Sequence, residues 1–244
     1  VFLFQDDDFP VKTGQDSNWI IRFCEELKRE GLPGRIMWKI NCRPDEVEED
    51  LFNLMKNNGL FLVFLGVDDG TDEGLNRLNK HLTIERSIKG IEIIKKLQIG
   101  FDYGFMLFQP SSTYLTININ LDFLRNVCGD GYTPLTYLKL MPYYETQVEK
   151  DLINEGRLRN IPGCMDYDFT DESMNLYYDF TADCFREWQR APDGFVNISK
   201  WARNYFAVYR EYFGFTEITK AIQEDVKKTI SEGNLFLLNI MKEL

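Results

Sequence analysis

Short apolar runs alternate with amphipathic stretches over the first 141 residues of this 244-residue chain. Each run is continuously apolar and is flanked by Gly, Pro or Asp. A run of this kind is typical of a parallel strand that is covered on both faces. We therefore predict five strands, over residues 1–5, 35–40, 60–66, 101–108 and 137–141.

The stretches between these runs carry apolar residues at helical spacing. Ile20, Phe23, Cys24 and Leu27 share one helix face, and Gly31 follows as a stop signal. Three more helices are predicted, over residues 44–59, 83–100 and 113–127. Strands that alternate with helices in this way predict βα units and a parallel sheet. A closed eight-stranded barrel needs about 250 residues. Five strands by residue 141 therefore predict an open, partial parallel β/α barrel of the TIM type.

The pattern changes after residue 142. We predict one short helix over residues 143–156 and an irregular link over residues 157–170. From residue 171 the chain is helical and rich in aromatic residues, with a break at residues 192–194. The prediction is a partial barrel over residues 1–158 and a helical C-terminal extension over residues 159–244.

Charge and composition exclude several classes of function. The formal net charge is −11, and a diffuse negative field repels phosphate backbones, so we expect no nucleic-acid partner. No apolar run approaches the roughly 20 residues of a membrane span. The five cysteines are dispersed and have no C-x-x-C spacing, which argues against a disulfide framework and a zinc site and favours the cytoplasm.

Polar residues follow each predicted strand, at the end where parallel α/β barrels place their functional groups. We therefore expect a polar-ligand site at this mouth. Local alternatives remain open: the acids at residues 6–8 could be solvated, residues 68–70 could form a tight turn, and residues 111–113 could cap a helix. His81 is the only histidine, so a histidine-rich metal site or a Ser/His/Asp triad would depend on it. The segments after the five strands contain Gln5-Asp6-Asp7-Asp8, Asn41-Cys42-Arg43, Asp68-Asp69-Gly70, Gln109-Pro110-Ser111 and Pro142-Tyr143-Tyr144.

The same segments, in this order, resemble the radical S-adenosylmethionine (SAM) superfamily. They are most similar to the subgroup that often carries an upstream cobalamin-binding domain. FQDDDF at residues 4–9 resembles that group's DD-x-F segment, and WKINCR at residues 38–43 resembles its third strand. The other matches are LGVDDGT at residues 65–71, FMLFQPSST at residues 105–113 and LMPYYETQVEKDLINEGRL at residues 140–158.

The resemblance implies an enzyme that binds SAM at the strand ends. The family reaction is reductive cleavage of SAM to a deoxyadenosyl radical, or methyl transfer through cobalamin, on a small-molecule or peptide substrate. Arg43 can hold a carboxylate in bidentate fashion, and Asp or Gln oxygens can accept from amine or hydroxyl groups. The positions that match the family's SAM contacts are Gln5, Asp6, Asp7, Asn41, Arg43, Asp68 and Gln109.

The chain departs from the family pattern in two places. The C-x-x-x-C-x-x-C loop that holds the 4Fe–4S cluster is absent, and Asp68 stands where the family usually has Glu. Because Val1 already matches the second strand, we expect the first strand and its cysteine loop to lie upstream of this chain. We also expect an upstream domain in the same polypeptide. This chain alone is then expected to be inactive. Two alternatives stay open: a non-catalytic binding or assembly module, and an unrelated metal-dependent barrel enzyme using Asp6, Asp7 and Asp68.

Overall fold

The computed structural model describes residues 1–10, 18–161 and 164–244, without the side chains of residues 160, 161 and 164. The strands of the described part are β1 (Phe2–Leu3), β2 (Trp38–Cys42), β3 (Leu60–Asp68), β4 (Gly100–Phe105), β5 (Leu158–Ile161) and β6 (Cys164–Tyr167). Its α-helices are α1 (Trp19–Arg29), α2 (Glu49–Lys56), α3 (Asp72–Arg77), α4 (Ile84–Lys96), α5 (Tyr114–Cys128), α6 (Gln147–Asn154), α7 (Ser173–Arg190), α8 (Phe195–Phe213) and α9 (Glu217–Glu243).

Strands β1 to β4 form one parallel sheet in the order of the chain. Each strand is added on the same side of the last, as in a β/α barrel, whereas a doubly wound sheet reverses direction. The open, partial α/β barrel predicted from the sequence is therefore confirmed. The predicted fifth strand is wrong as a full strand, because only a single parallel bridge from Phe108 to Lys139 continues the sheet there.

The core lies between the sheet and the helices on its outer face. Ile40, Val63, Leu65 and Phe101 have no exposed surface, as the continuously apolar runs predict. Gly59 precedes β3 with φ of 104°, and a Cβ there would lie 2.6 Å from the carbonyl oxygen of residue 36. Only glycine accommodates both constraints, which places the start of β3 close against the start of β2.

Two predictions made outside the strands need correction. The helix expected over residues 44–59 is a 3₁₀ turn at Pro44–Glu46 followed by α2, with extended backbone at Val47. Gly90 of α4 packs on this turn, where a Cβ would come within 2.2 Å of the Pro44 carbonyl oxygen. The irregular link expected over residues 157–170 is wrong, because β5 and β6 form an antiparallel pair there. The hydroxyl of Tyr167 anchors this pair by donating to the Phe108 carbonyl, at 3.0 Å.

The C-terminal helices complete the structure. Phe64 and Asp102 are register partners, so their side chains share the inner face of the sheet. Arg203 of α8 reaches this face, with Nη2 3.0 Å from Asp102 Oδ1 and Nη1 donating to the Phe101 carbonyl at 2.7 Å. Helix α8 thus covers part of the open sheet's inner face. None of the helices in the described part is long and apolar enough to cross a bilayer.

Candidate functional site

A cavity of about 340 Å³ opens at the C-terminal ends of β2 and β3, and we call it the strand-end cavity. Parallel strands end at one edge of a sheet, which is why residues far apart in sequence meet here. The cavity brings together four of the seven predicted SAM contacts: Asp7, Asn41, Arg43 and Asp68. Its other lining residues are Lys39, Cys42, Phe64, Gly66, Lys80 and Leu82.

The remaining three predicted contacts lie outside the cavity lining. Gln5 and Asp6 are exposed beside it, and the Asp6 carbonyl accepts a hydrogen bond from Asn41 Nδ2 at 2.9 Å. Gln109 is buried, with 4% of its surface exposed, and its side-chain amide donates to Asp69. Its backbone N–H donates to Ser112 Oγ at 2.8 Å. The direct contacts predicted for these three residues stay predictions.

Arg43 is a fixed cation in the cavity wall. Its Nε and Nη2 lie 3.0 and 3.1 Å from the two carboxylate oxygens of Asp45, and Nη2 also donates to the Lys80 carbonyl at 2.9 Å. The hydrogen bonds to Asp45 are the main reason that the pKa of Arg43 is raised. The bidentate grip expected for a ligand's carboxylate is therefore made with Asp45, a partner that the sequence did not reveal.

Asp68 ends β3 in the left-handed region, with φ of 65°. Aspartate is among the residues that tolerate this conformation, and the Asp69 N–H closes a tight turn on the Val67 carbonyl at 2.8 Å. The turn proposed from the sequence is thus present, and it leaves the Asp68 carboxylate in the cavity lining. Lys80 Nζ lies 2.8 Å from Asp68 Oδ2 as an ion pair. This buried oxygen accepts no hydrogen bond of good geometry from the described residues.

Lys39 and Lys80 are cavity residues that sequence reasoning missed as site residues. Lys39 alternates with buried Trp38 and Ile40 along β2, so it faces inward, with Nζ 5.6 Å from the Phe64 ring centre. The sequence signal for Lys39 was a charged residue between two apolar residues of a predicted strand. Together with Arg43, these lysines give the cavity three cations beside the carboxylates of Asp7 and Asp68.

Asp69 does not line the cavity, but its carboxylate accepts hydrogen bonds that fix the turn after β3. Its Oδ1 accepts from the backbone N–H and the hydroxyl of Thr71, both at 2.7 Å, and its Oδ2 accepts from Gln109. Burial is the main cause of the raised pKa of this carboxyl. A Cβ on Gly74 would lie 2.2 Å from the Asp69 carboxylate. Glycine at this position therefore allows the first turn of α3 to pack directly against that carboxylate. Gly70 N–H donates to Asn120 Oδ1 at 2.7 Å.

The acidic run at residues 6–8 is divided between two environments. Asp6 and Asp7 are both exposed, and Asp7 also lines the strand-end cavity. Asp8 is half-buried, and its Oδ1 accepts the Arg43 backbone N–H at 3.3 Å. Burial raises the pKa of the Asp8 carboxyl. The solvated acids that the plainer sequence interpretation expects are therefore found at Asp6 and Asp7, and Asp8 is the exception. The alternative for residues 111–113 is confirmed, because Thr113 caps α5.

The described thiols do not fit an iron–sulfur cluster, which binds thiolates. Cys24, Cys42 and Cys128 are buried, and burial raises the pKa of Cys24 to about 11 and that of Cys128 to about 12. Cys184 is exposed, and the Cys164 side chain lies outside the described residues. Among the side chains that the structure describes, no group of three or more His, Cys, Asp or Glu is placed to hold a metal ion. The metal-dependent alternative therefore has no support from this part of the chain.

Comparison with known proteins bears on the fold. No protein-family model matches the chain. It is 26% identical over 136 residues to the anaerobic magnesium-protoporphyrin IX monomethyl ester cyclase of Cereibacter sphaeroides. The matched region covers 53% of this chain and 22% of the cyclase. The chain therefore spans less than a quarter of that relative's length.

Two solved structures share the architecture. OxsB, a cobalamin-dependent SAM radical enzyme with aqua-cobalamin bound, matches 99% of this chain and 46% of its own at a TM-score of 0.64 and 15% identity. TsrM, a radical SAM methyltransferase from Kitasatospora setae with cobalamin and a 4Fe–4S cluster bound, matches 94% of this chain and 51% of its own at 0.61 and 13%. The resemblance to radical SAM enzymes, predicted from the order of the motifs, is confirmed, and the chain has the fold of these proteins.

Proposed function

We propose that this chain forms the SAM-binding part of a radical SAM enzyme barrel, and that SAM binds in the strand-end cavity. The observation that carries the proposal is the mixed charge of this cavity, with three cations and two carboxylates at the ends of parallel strands. SAM carries an ammonium, a sulfonium, a carboxylate and a ribose diol. A cavity of one sign would repel one end of such a ligand, whereas this one complements both.

The buried carboxylate of Asp68 is the strongest fit to part of this ligand. Its Oδ2 has only the Lys80 ammonium beside it and accepts no well-oriented hydrogen bond from the described residues. We place an ammonium or a hydroxyl group of the ligand beside this carboxylate, which it would share with Lys80. Lys39 is then placed to hold the ligand's carboxylate, Arg43 can join it only in competition with Asp45, and Asn41 offers an amide. The role of these groups is to bind and orient.

The cluster and cobalamin must come from elsewhere under this proposal. Reductive cleavage of SAM to a radical needs an electron from a cluster, and the family's methyl transfer passes through cobalamin. The described cysteines do not fit a cluster, so we place the cluster ligands on another segment of the polypeptide, and cobalamin on a further domain. The chain alone is then inactive, and the substrate is a small molecule or a peptide. Unpaired thiols favour a reducing compartment, which we take to be the cytoplasm.

The test uses the full-length polypeptide, reconstituted with iron and sulfide. We expect it to bind SAM in calorimetry and to cleave it under reducing conditions. Asp68→Asn should weaken SAM binding about tenfold, the usual effect of losing one charged hydrogen bond. Asp122→Asn on the exposed face of α5 is the matched control and should bind as the parent does. Absence of both a cluster and SAM cleavage would overturn the enzyme proposal.

The second candidate is a non-catalytic barrel that binds ligands or assembles with partners. Reading the coding sequence upstream of Val1 separates the two. A C-x-x-x-C-x-x-C segment there supports the enzyme, and its absence supports the binding module.

A further inference from the structure

A second cavity, of about 360 Å³, lies at the opposite end of the sheet from the strand-end cavity. Gly100, the first residue of β4, lines it, and none of its lining residues lines the strand-end cavity. We call it the basal cavity. Its walls come from the start of β4, the loop after α5, and helices α8 and α9. Gly131, Tyr132 and Phe215 belong to these walls.

The lining of the basal cavity is strongly basic in a chain whose net charge is −11. It includes one carboxylate, Glu224, and four cationic side chains. Arg203 is paired with Asp102 at 3.0 Å. Within the described residues, the other three cations form no ion pair with a carboxylate. These three are Arg210, Lys220 and Lys227.

Aromatic rings stand beside these cations. Tyr132 stacks on Phe101, with ring centres 5.7 Å apart, and its hydroxyl donates to the Ile99 carbonyl at 2.9 Å. The position of this ring is therefore fixed. Phe215 is half-exposed, and the Arg210 guanidinium lies over it at 6.0 Å. The cavity thus places apolar ring surface next to positive charge.

The wall around this site depends on a close approach between a loop and a helix. Gly131 has φ of 75°, and a Cβ on it would lie 2.0 Å from the backbone carbonyl oxygen of Lys227. Just beyond it, the hydroxyl of Ser231 donates to the Gly129 carbonyl at 2.6 Å. These contacts hold the loop against α9, so the cavity is a built feature of the fold.

We propose that the basal cavity binds an organic anion in which a phosphate or carboxylate group is attached to a planar ring. Its volume falls within the range of about 300 to 1,000 Å³ that small-ligand sites have. Lys220, Lys227 and Arg210 hold the anionic group through charge-assisted hydrogen bonds. Tyr132 and Phe215 contact the ring. This site is independent of SAM binding at the other end of the sheet.

The probe for this proposal is 1-naphthyl phosphate, titrated by calorimetry into the full-length polypeptide with saturating SAM present to occupy the strand-end cavity. We expect binding at least about tenfold tighter than that of inorganic phosphate or of 1-naphthol, each of which offers only half of the required chemistry. Lys220→Gln should weaken binding about five- to tenfold, because it removes one charged hydrogen bond from an exposed side chain.

Lys228→Gln is the matched control, because Lys228 neighbours the site on α9 but pairs with Glu232 at 3.9 Å and does not line the cavity. It should bind the probe as the parent does. A comparable affinity for 1-naphthoate supports the proposal and identifies a carboxylate as an accepted anion. No saturable binding of either anion, equal binding of 1-naphthol, or an equal loss in the Lys220 and Lys228 variants would overturn it.

Discussion

The side-chain amide of Gln109 donates a hydrogen bond to the buried carboxylate of Asp69, and this contact joins the end of β3 to the loop that follows β4. Asp69 also accepts from Thr71, which in turn caps α3 by accepting the Gly74 N–H at 2.9 Å. Asp68, the residue before Asp69, lines the strand-end cavity. The geometry of the cavity therefore depends on a carboxylate that is not part of its wall.

Gly74→Ala tests this arrangement. Alanine normally stabilises a helix by about 1 kcal/mol relative to glycine. Here the added Cβ would lie 2.2 Å from the Asp69 carboxylate, so we expect the free energy of unfolding to fall by about 1–3 kcal/mol, the usual cost of overpacking. Urea unfolding measures the change. Gly156→Ala separates packing from backbone strain, because its φ is left-handed, at 68°, whereas Gly74 is helical, and no atom lies within 4 Å of the Cβ added at Gly156. A gain in stability for the Gly74 variant would contradict the assignment.

Asp8→Asn tests the effect of burial on the acidic run. Burial raises the pKa of the Asp8 carboxyl above 3.8, so the folded state holds this proton more tightly than the unfolded state does. The carboxyl's contribution to stability is therefore greatest below pH 3.8 and declines as the pH rises through the raised value. The amide keeps an acceptor for the Arg43 N–H and does not titrate. As the pH rises from below 3.8 through the raised pKa of Asp8, we expect the Asp8→Asn variant to lose less unfolding free energy than the parent. Equal pH slopes for the variant and the parent would contradict this prediction.

The pairing of Arg43 with Asp45 makes a prediction about affinity under the proposed function. A SAM carboxylate that binds Arg43 must compete with Asp45, which already holds Nε and Nη2. Asp45→Asn weakens this competitor, so we expect SAM to bind about two- to fivefold more tightly. Arg43→Lys loses the bidentate geometry, so we expect about tenfold weaker binding. Calorimetry on the reconstituted full-length polypeptide measures both. Weaker binding in the Asp45 variant would show that the ligand does not use Arg43.

The sequence predicted the parts of this structure that depend on local pattern. The apolar runs located β2, β3 and β4 to within a few residues, and the polar residues after the first three predicted strands supplied four cavity residues. Strand ends are local in sequence, and a parallel sheet brings them to one edge. The division of the chain at residue 158 stays a prediction.

The parts that escaped prediction depend on contacts between distant segments. The Lys80 ammonium reaches Asp68 only through the fold of the loop between α3 and α4, where Asn79 and His81 both have left-handed backbone. The strand pair β5–β6 is stabilised by Tyr167, which bonds the carbonyl of a residue 59 positions away. Helix α8 meets the inner face of the sheet through Arg203, 101 residues from its partner. No local periodicity encodes these pairs.

Lys139→Met tests one such distant contact. The Lys139 side chain is 10% exposed, and its Nζ lies 2.6 Å from Asp166 Oδ1 and 4.4 Å from the ring centres of both Tyr167 and Tyr178. Burial lowers the pKa of this ammonium, although Asp166 opposes the shift. Methionine keeps the apolar stem but leaves Asp166 without its cation, so we expect about 1–3 kcal/mol lower unfolding free energy in urea. Adding Asp166→Asn to this variant removes the unpaired charge and should restore part of the loss. A double variant no more stable than Lys139→Met alone would show that the ion pair does not hold β5 and β6 to the sheet.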